Sequence, residues 1–166
     1  MFPFGRIARG AGLAIAASCI VPSPDAPADI GRADAVLVDK SDRELQLLRE
    51  GAVIAAFPVA LGFAPEGHKT QQGDGRTPEG RYVLDWRNPQ SRFYLSIHIS
   101  YPNASDTAQA AARGVSPGGD IFIHGTPWLA GVAGRDWTLG CIAVSNADMD
   151  AIWAAVPDGT PIVIRP

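Results

Sequence analysis

Residues 121–142 read IFIHGTPWLAGVAGRDWTLGCI. The stretch opens on the apolar run Ile121-Phe122-Ile123, halts at His124-Gly125, and restarts at Cys141-Ile142 behind Thr138-Leu139-Gly140, with sixteen residues between histidine and cysteine. Short apolar runs parted by a glycine-containing loop predict two strands, Asp120 to His124 and Cys141 to Ser145, joined by the long connection Gly125 to Gly140. One strand ends in an imidazole and the other begins with a thiol, an arrangement that can bring both side chains to the same end of a sheet.

Working outward, the rest of the chain also reads as strands. Ala35 to Asp39, Glu44 to Arg49 and Val53 to Leu61 are Val-, Leu- and Ile-rich runs separated by Ser41-Asp42-Arg43 and Glu50-Gly51, the pattern of an antiparallel meander. Gly62 to Pro78 is polar and glycine-rich and predicts consecutive tight turns feeding a strand over Arg81 to Trp86. Gly73-Asp74-Gly75 within it is read as a turn, because a phosphate-cradling glycine loop needs a helix behind it. Arg92 to Ser100 alternates as a strand closed by Tyr101-Pro102-Asn103. Thr107 to Arg113 predicts one short helix, stopped by Gly114. Asn146 is the expected N-cap of a second helix, whose Met149, Ile152, Trp153 and Val156 recur at helical spacing as a core-facing stripe. Pro161 to Ile164 is a last strand. The expected fold is mainly β, a sandwich or barrel with one or two short helices.

Composition narrows the function classes. With 166 residues and a net charge of -3, the chain fits one domain with a sizeable core. Fourteen basic and seventeen acidic residues without a Lys/Arg block give no footprint for nucleic acid or for an anionic membrane surface. Residues 1–20 read as an export signal, with Arg6 and Arg9 ahead of the apolar Ala11 to Ile20, too short to span a bilayer. Residues 21–32 form a proline-rich tether, and 33–166 the folded domain. Ala16-Ala17-Ser18-Cys19 resembles a lipoprotein cleavage box, so a lipid anchor at Cys19 is one expectation and a retained membrane anchor another. Each places the domain outside the cytoplasm, in the periplasm or cell envelope, with membrane contact only through that segment.

An exported chain with a lone thiol calls for a chemical reason. Only two cysteines are present, and removal or lipidation of Cys19 leaves Cys141 as the sole free thiol. A thiolate is the competent nucleophile, and a neighbouring imidazole both generates it and carries its proton to the leaving group. Of three histidines, His124 is the strongest candidate. His68 sits in the polar loop and is expected to be solvated, and His98 in mid-strand either lines a cleft or packs. The Gly125 carbonyl can fix the His124 tautomer, and the amides of Gly140 and Cys141 can form an oxyanion hole. Taken alone, Cys141 could equally be a small buried hydrophobe and His124 a strand-end residue. Export and the flanking glycines argue for chemistry. Zinc is disfavoured by the absence of paired CxxC or HxxxH spacing, and a dithiol role by the lack of a second nearby cysteine. No cofactor or metal is expected.

His124-Gly125 and Thr138-x-Gly140-Cys141, followed by Ile142 and Asn146, resemble the signature of the L,D-transpeptidase catalytic domain, the YkuD-type fold. Gly73-Asp74-Gly75-Arg76-Thr77-Pro78-Glu79-Gly80-Arg81-Tyr82 and Tyr101-Pro102-Asn103 resemble its YafK-like branch. The resemblance implies that Cys141 is the acylated nucleophile, His124 its base and later acid, and Gly125 the orienting carbonyl, with Thr138, Gly140 and the 125–140 loop shaping the cleft. It implies peptidoglycan stem peptides as partners: attack on the third residue of a tetrapeptide stem, loss of the terminal D-alanine, and transfer to an amine in cell-wall cross-linking. Leu139 replaces a frequent histidine and Ala143 a frequent arginine, which leaves carboxylate recognition to be explained. Two alternatives stand beside this reading, the first from the same resemblance and the second from a different class of function. One is an L,D-endopeptidase or amidase that hydrolyses a stem peptide or a wall-anchored lipoprotein linkage. The other is a non-catalytic wall-binding module.

Overall fold

A computed structural model describes residues 30–126 and 136–166. The export segment, most of the tether, Cys19 and Arg135 lie outside the described residues, as does the part of the 125–140 loop from 127 to 135. No helix among the described residues is long and apolar enough to cross a membrane.

Eight strands make one sheet in the order β3-β2-β1-β8-β4-β5-β6-β7. β1 (Ala35–Asp39), β2 (Glu44–Arg49) and β3 (Ala52–Pro58) form the antiparallel meander. β8 (Thr160–Arg165) pairs parallel to β1 and antiparallel to β4 (Gly80–Ser91). β4 folds back on β5 (Tyr94–Ile99), which pairs with β6 (Phe122–His124), and β6 runs parallel to β7 (Ile142–Ala143). The period of two decides which side chains enter the core: Val36 and Val38, Leu45 and Leu47, Ile97 and Ile99, and Ile162 and Ile164 are all buried.

The architecture is a half-barrel flanked by two helices, as the β reading anticipated. Ala60, just beyond β3, exchanges two backbone hydrogen bonds with Ala143 of β7, at 2.9 and 2.8 Å. Gly62 bridges to Thr138. These bonds join the two ends of the sheet order, so the sheet curls back on itself and neither edge is left open there. The junction lies where the His124 and Cys141 segments end.

Both helices differ in their starts from the sequence reading. α1 spans Ala104–Ala112, because Asn103 caps it: its side chain accepts from the Ser105 and Asp106 amides while Asp106 accepts from the Asn103 amide, a capping box. α2 spans Asn146–Ala155, and its N-cap is Ser145, whose hydroxyl accepts from the Asp148 amide at 3.1 Å. Asn146, expected as the cap, begins the helix instead. Its Oδ1 is buried with no hydrogen-bond partner among the described residues. α2 turns Met149, Ile152 and Ala155 inward and packs on β5.

Candidate active site

His124 closes β6 and Cys141 immediately precedes β7, its parallel neighbour, with Ile123 opposite Ile142 and His124 opposite Ala143. This pairing brings the two ends of the long connection together. His124 and Cys141 line one cavity of about 570 Å³, together with Phe93, Trp137, Lys69 and Asp120.

The sulfur of Cys141 sits between two backbone groups. Its thiol donates to the Asp120 carbonyl, 3.6 Å away, and the Phe122 amide donates to the sulfur. Asp120 reaches this position with φ of 55°, in the left-handed region that few residues other than glycine, asparagine and aspartate enter readily. Burial pushes the Cys141 thiol above its ordinary value; the Phe122 amide and the Lys69 charge oppose that shift, and the Asp120 charge adds to it. At rest Cys141 is therefore a thiol.

The Nδ1 of His124 lies 2.7 Å from the Gly125 carbonyl oxygen. A carbonyl only accepts, so Nδ1 carries the proton and Nε2 presents its lone pair. Burial lowers the His124 pKa from its ordinary value, and the Gly125 bond partly counters it. The imidazole is neutral and able to accept a proton. Gly125 has no room for a side chain: a Cβ there would stand 2.6 Å from Oδ1 of Asn146.

The residues before the cysteine are held from both sides. Thr138 is buried; its hydroxyl donates to the Cys141 carbonyl at 2.7 Å and accepts from the Gly140 amide at 3.1 Å. Gly140 has φ of 127°, and a Cβ on it would meet the Arg76 carbonyl at 2.7 Å. Of the two amides considered as oxyanion donors, that of Gly140 is thus engaged by Thr138. Upstream, Asp136 accepts from the Leu61 amide and from the Arg43 guanidinium, and the Trp137 and Thr138 amides both donate to the Leu61 carbonyl at 3.1 Å.

Residues 33–164 match the YkuD family, the L,D-transpeptidase catalytic domain. The chain belongs to this family. Among L,D-transpeptidase relatives, it is 36% identical over 128 residues to the Escherichia coli K12 protein named "Putative L,D-transpeptidase YafK", a match covering 73% of this chain and 46% of that protein, which places it in the YafK-like branch. It is 27% identical over 138 residues to L,D-transpeptidase 5 of Mycobacterium tuberculosis, covering 81% of this chain and 28% of that one. The chain spans less than half the length of either of these curated relatives. The crystal structure of the helical cell shape determining protein Pgp2 from Campylobacter jejuni superposes with a TM-score of 0.63 at 25% identity, covering 82% of this chain and 52% of that one.

Within this L,D-transpeptidase domain the other two histidines do other work. His68, expected to be solvated, is tied at both nitrogens: Nδ1 accepts from the Glu79 amide at 3.0 Å, and Nε2 lies 3.1 Å from Asp106 Oδ1. A partner brought from another element overrides the polarity of the surrounding loop. His98 pairs with Asp85 at 2.7 Å and stacks on Trp86, 5.1 Å between centroids, so it packs on the sheet. Cavity residues that the sequence reading did not single out include Lys69, Phe93, Asp120 and Trp137. The one local signal is Lys69 itself, a cation four residues ahead of the turn Gly73-Asp74-Gly75.

Proposed function

We propose that the domain is a cysteine-dependent peptidoglycan L,D-transpeptidase acting in the cell envelope on tetrapeptide stems. The observation that carries this reading is the shared cavity of His124 and Cys141, with the imidazole held by Gly125 so that its basic nitrogen is unprotonated. As the sulfur attacks the carbonyl carbon of the third stem residue, its proton passes to His124 Nε2. With the thiol raised and the imidazole lowered, that transfer is uphill at rest and proceeds together with carbon–sulfur bond formation. The oxyanion is held by the Cys141 amide, and Thr138 fixes the turn that aims it. The intermediate collapses by breaking the peptide bond; His124 returns the proton to the leaving D-alanine amine, and a thioester remains on Cys141. An acceptor amine then gives its proton to His124 and attacks the thioester, which releases the Cys141 sulfur to be reprotonated.

Incubation of the protein with tetrapeptide muropeptides, read by mass, tests this. Cross-linked dimers together with free D-alanine are expected, and both vanish in Cys141→Ala. Tripeptides without dimers would replace the amine acceptor with water and make the protein a hydrolase. Unchanged tetrapeptides would leave a wall-binding module.

A further inference from the structure

Among the described residues that line the cavity, Lys69 is the one cationic side chain. It is 3% exposed, and its Nζ donates to the Gln71 carbonyl at 3.2 Å and to Asp74 Oδ1 at 3.0 Å. An ammonium has three N–H donors; these two partners use two. Asp74 is a fixed anchor: although burial works against its charge, the amides of Thr70, Gln71 and Arg76 and the Lys69 ammonium hold its carboxyl at about 2. The lysine is thereby held at the cavity wall, and its charge reaches the Cys141 sulfur. Ala143 offers no cation, being buried with its backbone committed to Ala60.

We propose that Lys69 is the carboxylate subsite of this cavity, its remaining N–H donating to a carboxylate of the donor stem peptide and so selecting the acid over the corresponding amide. This inference rests on reading the cavity as a stem-peptide acyl site. A charge-assisted hydrogen bond to a buried ammonium is strong, and an amide in the same place presents no charge to it. Two carboxylates of the donor could occupy it: that of the terminal residue that leaves, or one on the side chain of the third residue that is acylated.

The test is calorimetric titration of the Cys141→Ala protein, which cannot turn over, with three peptides: the tetrapeptide, its C-terminal carboxamide, and its third-residue side-chain carboxamide. One of the two amides is expected to bind about tenfold to a hundredfold more weakly than the acid. Weakening of the first assigns the subsite to the leaving residue, and of the second to the acylated one. Adding Lys69→Met should abolish the preference, and adding Lys69→Arg should keep it. Because a merely loosened 69–76 turn would weaken all three peptides together, the acid-to-amide ratio is the readout. The first comparison needs no change at Lys69, so it stands even where a variant fails to fold. Equal affinities for the three peptides, no binding of any, or a preference that survives Lys69→Met would overturn the proposal. Acid preference without turnover in the unmodified protein would instead sink the transpeptidase reading and leave the subsite standing.

Discussion

The ring of Phe93 lies 4.7 Å from the imidazole of His124, centroid to centroid, tilted by 32°. Phe93 comes from the turn between β4 and β5, and Trp137 adds its edge 6.0 Å away. Together they keep water off the imidazole, the condition that lowers its pKa. Phe93→Ala should let the His124 pKa climb back toward 6.5. In the proposed mechanism the neutral imidazole takes the thiol proton, so the acid limb of a carbapenem acylation profile would move to higher pH. Phe93→Leu, which keeps the cover, should leave the limb in place. An unshifted limb in Phe93→Ala would show that the ring does not set the base.

The two site residues also set a pH window for stability. His124 has a depressed pKa in the folded state, so its contribution is present above the unfolded value of 6.5 and is lost as pH falls. Cys141 has a raised pKa, so its contribution is present below the unfolded value of 9.0 and is lost as pH rises. Thermal melting against pH should therefore lose its acid-side slope in part in His124→Gln and its alkaline-side slope in part in Cys141→Ala. Parallel curves for variant and unmodified protein would contradict these shifts.

Thr138 bridges Gly140 and Cys141 with one hydroxyl. Thr138→Val keeps the shape and removes both bonds, which should cost about 1–3 kcal/mol of stability and slow acylation severalfold by releasing the turn. Thr138→Ser retains the hydroxyl and should behave nearly as the unmodified chain. Equal behaviour of Val and Ser in both melting and acylation would remove Thr138 from the positioning of Cys141.

His68 predicts the opposite signature. It joins Asp106 to the Glu79 amide, and Asp106 also accepts from the Tyr82 hydroxyl at 3.0 Å. His68→Ala leaves the buried Asp106 Oδ1 and the half-buried Glu79 amide without this partner and should lower the melting temperature, with about 1–3 kcal/mol lost. The acylation rate of the folded fraction and its pH profile should not change. A shifted profile would give His68 a part in the chemistry.

What could be read without coordinates divides along local and long-range lines. β1, β2 and β8 follow from alternation alone, since Val36, Val38, Leu45, Leu47, Ile162 and Ile164 recur every second residue and all face inward. β4 runs past its expected end at Trp86 to Ser91, and the register shift between Asn88 and Ser91 accommodates Pro89 within the strand. Cys141 and His124 stood out because glycines and strand ends mark them. Lys69, Phe93 and Asp120 did not, since each reaches the cavity from a different connection. The partnership of His68 with Asp106 spans a separation in sequence that no local pattern encodes. Ser145 and Asn146 are both good capping types, and only the Ser145 bond to the Asp148 amide decides between them.

Intact-protein mass spectrometry after exposure to a carbapenem tests the central claim most directly, because acylation needs only the nucleophile and its base. A single adduct of the full drug mass on the peptide containing Cys141 is expected, slowed in His124→Gln and missing in Cys141→Ala. A folded protein that gains no mass, or that gains it equally in Cys141→Ala, would contradict the account.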